Sequence, residues 1–183
     1  SLIDNNEHSK KANIKIIGIS NSKNMFFDND GIDLSNWKNL LANGKKNNRQ
    51  EFLNKTINYK LKNCVFVDNT ASETISNEYA DYLNEGISVV TCNKIASSSE
   101  LENYNKLKDI SKKNNVSFLY ETNVGSSLPV LETINNLVLS GDKIISVKAI
   151  LSGSLNYIFN NFKYENTFHN VIDKAKKLGL TEP

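Results

Sequence analysis

Short apolar runs alternate along this chain with longer segments in which apolar residues recur at helical spacing. The apolar runs occupy residues 13–19, 64–67, 87–91, 118–120 and 144–151. Each suits a strand, and the run 64–67, CVFV, is continuous in the manner of a strand covered on both faces. Strands that alternate with helices at this spacing form right-handed βαβ units. The pattern therefore predicts an α/β fold with a doubly wound parallel sheet.

Capping and turn residues predict where the intervening helices begin and end. Residues 70–73, TASE, and residues 97–100, SSSE, have the form of capping boxes. The first helix is predicted to run to Glu85 and to stop at Gly86. The remaining elements follow from the same signals: helices at 34–41, 49–60 and 166–178, and a loop at 21–31.

The segment 118–131, FLYETNVGSSLPVL, combines a strand, a turn and the start of a helix. Gly125 supplies a turn with free φ, and Pro129 suits the first turn of a helix that continues to Gly141. In a parallel α/β sheet, turns of this type lie at the carboxyl ends of strands, where ligands bind. We expect a ligand site here, and the alternative is a plain β–α connection.

Three polar loops follow apolar strands, at residues 21–23, 68–70 and 91–94. In a doubly wound sheet these loops would share the edge that a dinucleotide crosses. The phosphate-binding GxGxxG turn of such domains is absent from these residues. We therefore expect a dinucleotide-type sheet that lacks its first βα unit.

Individual residues in these loops suggest cofactor and substrate contacts. Ser22 or Lys23 could meet an adenosine ribose or its 2′-phosphate, a cation there favouring NADP over NAD. Lys94 could hydrogen-bond a substrate or relay a proton. Each residue also has a plainer explanation, because a loop lysine is usually a solvated charge and Thr70 serves as a helix cap.

Composition narrows the class of protein. At 183 residues, of which 39% are apolar, the chain can hold one sizeable domain and the start of another. No apolar run approaches the roughly 20 residues that span a bilayer, so no membrane role is expected. A net charge of +2 gives no case for nucleic-acid binding. Cys64 and Cys92 lack CxxC spacing, which argues against a disulfide framework and a zinc site and favours a cytoplasmic protein.

Four ordered motifs resemble the homoserine dehydrogenase family, most closely the dehydrogenase part of bifunctional aspartokinase–homoserine dehydrogenases. The motifs are VVTCNK at 89–94, ETNVGSSLP at 121–129, ILSGSLNYIF at 150–159 and KKLGLTEP at 176–183. The segment 19–37, with ISNSK and GIDLSNW, is typical of the bifunctional branch. The resemblance covers nearly the whole chain.

The resemblance implies a partial NAD(P)-binding Rossmann domain at residues 1–142 and the start of an α+β catalytic and dimerisation domain at residues 143–183. It implies NAD(P)H-dependent reduction of L-aspartate 4-semialdehyde to L-homoserine, on the route to threonine and methionine. The implied partners are a small-molecule substrate, a second copy of the protein in a homo-oligomer, and an N-terminal aspartokinase domain fused in the parent protein.

Family site residues carry over to matching positions of this chain. Thr70, Lys94 and Gly179 match cofactor contacts, and Lys94 also lies close to the reacting centre. Glu182 matches the residue that binds the homoserine amino group. The family's monovalent cation site, usually sodium, has four matching positions, whose carboxylate and carbonyl oxygens are hard ligands: Glu121, Val124, Ser126 and Leu128.

Departures from the family pattern leave alternatives open. Cys92 stands where the family usually has Pro, and the family's acidic segment and general-acid Lys follow the TEP motif, after Pro183. Both ends look cut from a larger protein, so we expect the isolated chain to turn over little or nothing. The alternatives are a non-catalytic truncated module and another α/β NAD(P)-dependent oxidoreductase of a small carbonyl compound.

Overall fold

Two compact units make up the chain, one ending at Lys62 and the other beginning at Asn63. The structure is a computed structural model that describes residues 14–59 and 61–181. Each unit contains a sheet of three strands. Within the described ranges, none of the helices combines the length and the apolar character of a membrane span.

In its described residues, the first unit consists of an antiparallel sheet and two helices. Strand β2 lies between β1 and β3, and it contributes the buried Met25 to the core of this unit. The ring of Phe27 lies 4.7 Å from that of Phe52 on the second helix. The elements are β1 (Gly18–Ser20), β2 (Asn24–Phe27), α1 (Trp37–Ala42), β3 (Lys45–Lys46) and α2 (Arg49–Asn58).

The predicted loop at residues 21–31 is wrong in its first half, because β2 occupies residues 24–27. Residues 21–23 form the tight turn of an antiparallel hairpin, in which Asn21 Oδ1 accepts hydrogen bonds from the amides of Lys23 and Asn24, both at 2.8 Å. An Asn side chain that accepts a hydrogen bond from the backbone two residues ahead stabilises a local turn. The expectation that these residues follow a parallel strand is therefore wrong.

The second unit contains the predicted parallel sheet. Its strand order is β4-β5-β6, and Asp68 at the end of β4 is opposite Thr91 at the end of β5. The elements around the sheet are β4 (Val65–Asp68), α3 (Glu73–Ser76), α4 (Tyr79–Asn84), β5 (Ser88–Thr91), α5 (Ile95–Ser98), α6 (Leu101–Asn114), β6 (Phe118–Leu119), a 3₁₀ turn (Glu121–Asn123), α7 (Val130–Leu139), α8 (Gly153–Asn161) and α9 (Phe168–Lys177).

Helices pack against one face of the parallel sheet. Tyr79, Tyr82 and Leu83 on α4 are fully buried, and the ring of Tyr82 stacks on Phe66 of β4 at 4.1 Å. The other face is open in the described chain, because Val65 is 50% and Val67 is 54% exposed. The prediction that strand 64–67 is covered on both faces is therefore wrong for these residues, although the strand itself is confirmed.

The helix predicted from residue 70 to Glu85 is two short helices, α3 and α4. Ser72, and not Thr70, is the N-cap of α3, and its hydroxyl accepts a bond from the amide of Ile75. Thr70 lies two residues earlier, where its hydroxyl accepts from the amide of Ser72 at 3.1 Å. Gly86 follows α4 with φ +77°, which confirms the predicted stop.

The second predicted capping box, at residues 97–100, is also wrong. Ser97 lies inside α5, and α6 begins after Glu100 without a side-chain cap. The spacing of a capping box is present in the sequence, but Ser97 is already part of α5, whose N-cap is Lys94, and the longer helix begins only after Glu100. Local spacing alone does not separate a cap from a residue inside a short helix.

The C-terminal region is helical. Helix α7 ends before Gly141, as predicted, and α8 packs on α9 through Ile158, Val171 and Ala175. The strand predicted at residues 144–151 is not formed: the segment has no regular secondary structure, and Ile145 is 96% exposed. A strand needs a neighbour for its amides and carbonyls, and no described strand pairs with this segment.

A buried polar network joins the carboxyl ends of β4 and β5. Asp68, Tyr79, Thr91 and Asn93 are each at most 3% exposed. The Asp68 carboxylate accepts from the hydroxyl of Tyr79 at 2.5 Å, from Nδ2 of Asn93 at 3.1 Å and from the amide of Thr70 at 2.8 Å. Buried carboxylates are stable in proteins when several donors surround them in this way.

The donor and the acceptor of each hydrogen bond in this network can be assigned. Tyr79 has a single hydroxyl proton, which it donates to Asp68, so Thr91 donates to the Tyr79 oxygen at 2.8 Å. Thr91 in turn accepts from the amide of Asn93 at 2.8 Å. Burial, and after it the bond to Asp68, raise the pKa of Tyr79 above its ordinary value. The tyrosine therefore stays a donor at every physiological pH.

Replacing Tyr79 with Phe should destabilise the second unit by about 1–3 kcal/mol, because the buried carboxylate loses its closest donor. Urea unfolding followed by circular dichroism measures the change. Tyr164→Phe is the matched control, since Tyr164 is fully exposed. Equal unfolding midpoints for the two variants would contradict a structural role for the network.

Candidate functional site

The carboxyl edge of the parallel sheet brings two of the three predicted polar loops together. Nδ2 of Asn93, after β5, donates to Asp68, at the end of β4, and to the carbonyl of Ser72 at 2.9 Å. Nδ2 of Asn123, after β6, donates to the carbonyl of Asn93 at 3.2 Å. Side-chain amides therefore connect the ends of all three strands.

Lys94 projects from this edge at the start of α5. Its side chain is exposed, while the residue before it is buried. Asn93 Oδ1 accepts from the amide of Ile95 at 3.1 Å and so closes a turn around Lys94. The lysine thus combines an exposed side chain with a backbone that buried bonds hold in place.

A cleft of about 550 Å³ lies in front of Lys94. All four sequence motifs contribute to its wall. The lining comprises Lys94, the turn residues Thr122, Asn123, Gly125 and Ser126, residues 151–155, and Thr181. Residues that are nearly 90 positions apart in the sequence therefore face one space.

The N-terminus of α8 opens on this cleft. Ser152 is its N-cap and accepts from the amide of Leu155 at 3.2 Å. The Ser154 hydroxyl donates to the carbonyl of Leu180, which holds the helix start next to Thr181. Unpaired amides at a helix N-terminus favour electron-rich groups. Glu182, the predicted amine-binding residue, lies outside the described residues.

Glu121 caps the helix that follows the turn. Its two carboxylate oxygens accept from the amides of Leu131 and Glu132, each at 2.9 Å. The N-cap of α7 is Pro129, which has no side-chain acceptor, so the helix takes its acceptor from the preceding turn. This role was not predicted. The signal for it was that α7 begins after Pro129 without Ser, Thr, Asp or Asn at the N-cap, so that a side chain from another part of the chain must accept from its first amides.

The turn between Glu121 and α7 presents carbonyl oxygens. In the described residues, the carbonyls of Val124 and Ser126 accept no hydrogen bond, whereas that of Leu128 accepts from the amide of Val130 at 2.9 Å. Gly125 and Ser126 both have positive φ, +72° and +56°. A Cβ at Gly125 would lie 2.7 Å from Val130 Cγ2, so the turn requires glycine.

These oxygens are the donors that a monovalent cation prefers. Two carbonyls that accept no hydrogen bond from the described residues, and a carboxylate with remaining lone pairs, lie in one short turn. Within residues 14–59 and 61–181, no cluster of three or more His, Cys, Asp or Glu is suited to a metal ion. The donor set thus fits a carbonyl-rich cation site better than a transition-metal site.

Thr70, Gly179, Ser22 and Lys23 are not among the residues that line the cleft. Thr70 is exposed beyond β4, and Gly179, with φ +68°, has open space where a Cβ would stand. Ser22 and Lys23 are exposed in the hairpin turn of the first unit. His169 is exposed, and its Nε2 lies 3.2 Å from Asp173 Oδ2.

Three residues support the site in ways that the sequence did not predict: Asp68 as the centre of the buried network, Tyr79 as its donor, and Asn123 as the link to Lys94. Tyr79 has the helical spacing of a core residue, and the sequence does not show that its hydroxyl has a hydrogen-bond partner. Asn123 is one of many asparagines in this chain. Only the fold shows which of them is partly buried between two loops.

Two family models match the chain. The model for the homoserine dehydrogenase NAD-binding domain matches residues 2–121, and the model for homoserine dehydrogenase matches residues 129–183. The two matches together include the carboxyl-edge loops, the helix starts around the cleft and the C-terminal helices.

Relatives in plants and yeast share this similarity. A bifunctional aspartokinase/homoserine dehydrogenase of Arabidopsis thaliana is 40% identical over 172 residues, covering 93% of this chain and 19% of the relative. A homoserine dehydrogenase of Schizosaccharomyces pombe is 32% identical, covering 94% of this chain and 48% of the relative. The chain thus spans about a fifth and about half of the lengths of these two relatives.

A solved structure agrees with these matches. A hyperthermophilic archaeal homoserine dehydrogenase mutant in complex with NADPH superimposes with a TM-score of 0.68 at 25% identity, over 91% of this chain and 52% of that one. Sequence models, relatives and fold therefore agree, and the chain belongs to the homoserine dehydrogenase family.

Proposed function

We propose that the protein containing this chain is an NAD(P)H-dependent homoserine dehydrogenase, which reduces L-aspartate 4-semialdehyde to L-homoserine for threonine and methionine synthesis. The observation that carries the proposal is the single cleft lined by all four family motifs, at the carboxyl edge of the parallel sheet. Ligands of open α/β sheets bind at that edge. An oxidoreductase of a different small carbonyl compound is the alternative that the substrate test below separates.

The carboxyl edge suits a dinucleotide. Thr70 and Gly179 are exposed, and the missing side chain at Gly179 allows close approach of a ligand. Ser22 and Lys23 remain proposed contacts of the adenosine ribose or its 2′-phosphate. NADPH or NADH, when bound, supplies the hydride for the reduction. The residues of this chain orient the two reactants and stabilise the charge that develops on the substrate.

Lys94 is the residue that we assign to the reacting centre. Reduction of an aldehyde leaves negative charge on the carbonyl oxygen, and an ammonium group beside that oxygen stabilises the charge. The exposed Lys94 side chain lines the cleft and is held by a rigid backbone. Glu182, which follows Thr181 in the sequence, would bind the substrate amine by charge.

A sodium ion held by Glu121, Val124, Ser126 and Leu128 would stiffen the turn between the sheet and α7. The carbonyls of Val124 and Ser126 accept no hydrogen bond from the described residues and would bind the ion. The Glu121 carboxylate would bind the ion and cap α7 at the same time. An ion with these ligands neutralises the carboxylate and opposes the repulsion among carbonyl dipoles. Its role is structural and does not involve the reacting atoms.

The proposal extends to the whole protein. The relatives named as bifunctional aspartokinase/homoserine dehydrogenases support an aspartokinase domain fused to this region in the parent. A homo-oligomer and a cytoplasmic location stay predictions. The division into a cofactor domain up to residue 142 and a catalytic domain from residue 143 also stays a prediction.

The complete protein should oxidise NADPH with L-aspartate 4-semialdehyde and much more slowly with aldehydes of the same length that lack the amino group. The Glu182 contact explains this preference, because a missing ammonium leaves a carboxylate unpaired. Absorbance of NADPH at increasing substrate concentration gives kcat/KM for each aldehyde. Equal values with and without the amino group would favour the alternative oxidoreductase.

Lys94→Ala in the complete protein should lower kcat by about 10²–10³-fold, because a charge that stabilises the transition state is removed. Steady-state kinetics with the semialdehyde measure the loss. Lys106→Ala is the control, since Lys106 is exposed on α6, away from the cleft lining. Unchanged kcat and KM in Lys94→Ala would remove this residue from the mechanism.

Replacing sodium with choline at constant ionic strength should lower the thermal unfolding midpoint, because an ion that binds only the folded state stabilises it. Glu121→Gln should abolish the difference between the two salts, whereas Glu132→Gln, an exposed neighbour on α7, should retain it. Differential scanning calorimetry in both salts measures the midpoints. Identical wild-type midpoints in sodium and choline would contradict the cation site.

A further inference from the structure

We propose that Asn123 is a positioning residue that aims Lys94 into the cleft. This inference rests on the proposed function, since it concerns the reaction at Lys94. Asn123 is the last residue of the 3₁₀ turn after β6, and its side chain crosses to the loop after β5. It acts on the backbone on either side of Lys94.

Both N–H groups of the Asn123 side chain are used in this crossing. One donates to the carbonyl of Asn93 at 3.2 Å, and the other donates to the hydroxyl of Ser97 at 3.0 Å. The two acceptors lie one residue before and three residues after Lys94. A single amide group therefore holds both sides of the lysine.

The bond to the Asn93 carbonyl restrains the peptide group that leads into Lys94. The same residue is held at its amide by Thr91 and at its side chain by Asp68 and Ser72. Since a peptide group is planar, restraining its carbonyl also sets the direction of the Lys94 amide and Cα. The bond to Ser97 restrains α5, the helix that Lys94 begins.

The orientation of the Asn123 amide is determined by its partners. A backbone carbonyl can only accept, so Nδ2 must face Asn93 and Oδ1 must face away. Oδ1 is buried and has no hydrogen-bond partner in the described part of the chain.

The crossing also connects Lys94 to the proposed cation turn. Glu121 and Asn123 belong to the same 3₁₀ turn, with Glu121 capping α7 and Asn123 holding the Lys94 loop. A turn that is stiff at Glu121 gives Asn123 a fixed base. The cation turn therefore supports the reacting centre through this side chain.

Asn123→Ala in the complete protein should lower kcat for semialdehyde reduction by about 10–100-fold and change KM less than about twofold, since misaiming a catalytic group affects the reaction step more than binding. In the Lys94→Ala background, the same change should have no further effect on kcat. Effects of residues that act through one another are not additive, whereas separate structural damage would add.

The matched control is Asn103→Ala. Asn103 Nδ2 also donates to a serine hydroxyl at 3.0 Å, that of Ser99, but it has no bond to the residues flanking Lys94. This variant should retain wild-type kcat and KM. Asn123→Asp, which keeps the size of the side chain and removes both donors, is the second variant if the alanine variant is poorly folded.

Hydrogen exchange of the peptide covering residues 92–98 gives a readout without turnover. Exchange should be several-fold faster in Asn123→Ala than in wild type and unchanged in Asn103→Ala, because the restraint on the loop is lost. Unchanged exchange, unchanged kcat in a folded variant, or full additivity with Lys94→Ala would each overturn the proposal. If the wild-type protein does not reduce the semialdehyde, the proposed function fails, and with it the role of Asn123 in the reaction. The exchange data would still show whether Asn123 restrains the loop around Lys94.

Discussion

The hydrogen bonds to the buried Asp68 carboxylate are the interaction on which the site depends. A carboxylate that is 2% exposed needs donors, and it obtains them from Tyr79 on α4, Asn93 after β5 and the Thr70 amide after β4. Three elements must therefore meet at one point for the charge to be stable. The loops that hold the proposed cofactor and substrate are placed by this requirement, and Lys94 follows directly from Asn93.

Helix ends supply the second constraint on the site. The turn after β6 uses Glu121 to cap α7, and the start of α8 uses Ser152 and a bond from Ser154 to Leu180. Each bond satisfies a backbone group that would otherwise be unpaired, and each also fixes a wall of the cleft. The proposed cation ligands belong to the same turn, so capping and ion binding would reinforce one another. The segments near the proposed reacting centre are thus made rigid by hydrogen bonds that satisfy backbone amides and carbonyls at helix ends.

Much of the second unit was predictable from local pattern. The strands at 65–68, 88–91 and 118–119 follow from short apolar runs, and the helix from Val130 to the stop at Gly141 follows from spacing and turn residues. The two errors about strands have one cause. Residues 144–151 are apolar enough for a strand, but strand formation depends on a neighbour, and residues 24–27, NMFF, form a strand because they pair with β1 and β3. Pairing is a property of the fold, and a window of sequence does not contain it.

The sequence by itself determined the family, the parallel α/β unit and the identity of Lys94 and the turn 121–129 as candidate chemistry, because motifs and periodicity are local properties. Tertiary structure alone decided that Glu121 caps a helix, that Tyr79 is the donor to a buried carboxylate, and that Asn123 holds both sides of Lys94. Each of these roles joins residues 10 to 30 positions apart through hydrogen bonds whose geometry exists only once the chain has folded. Direction and distance, which a hydrogen bond requires, are absent from a linear pattern.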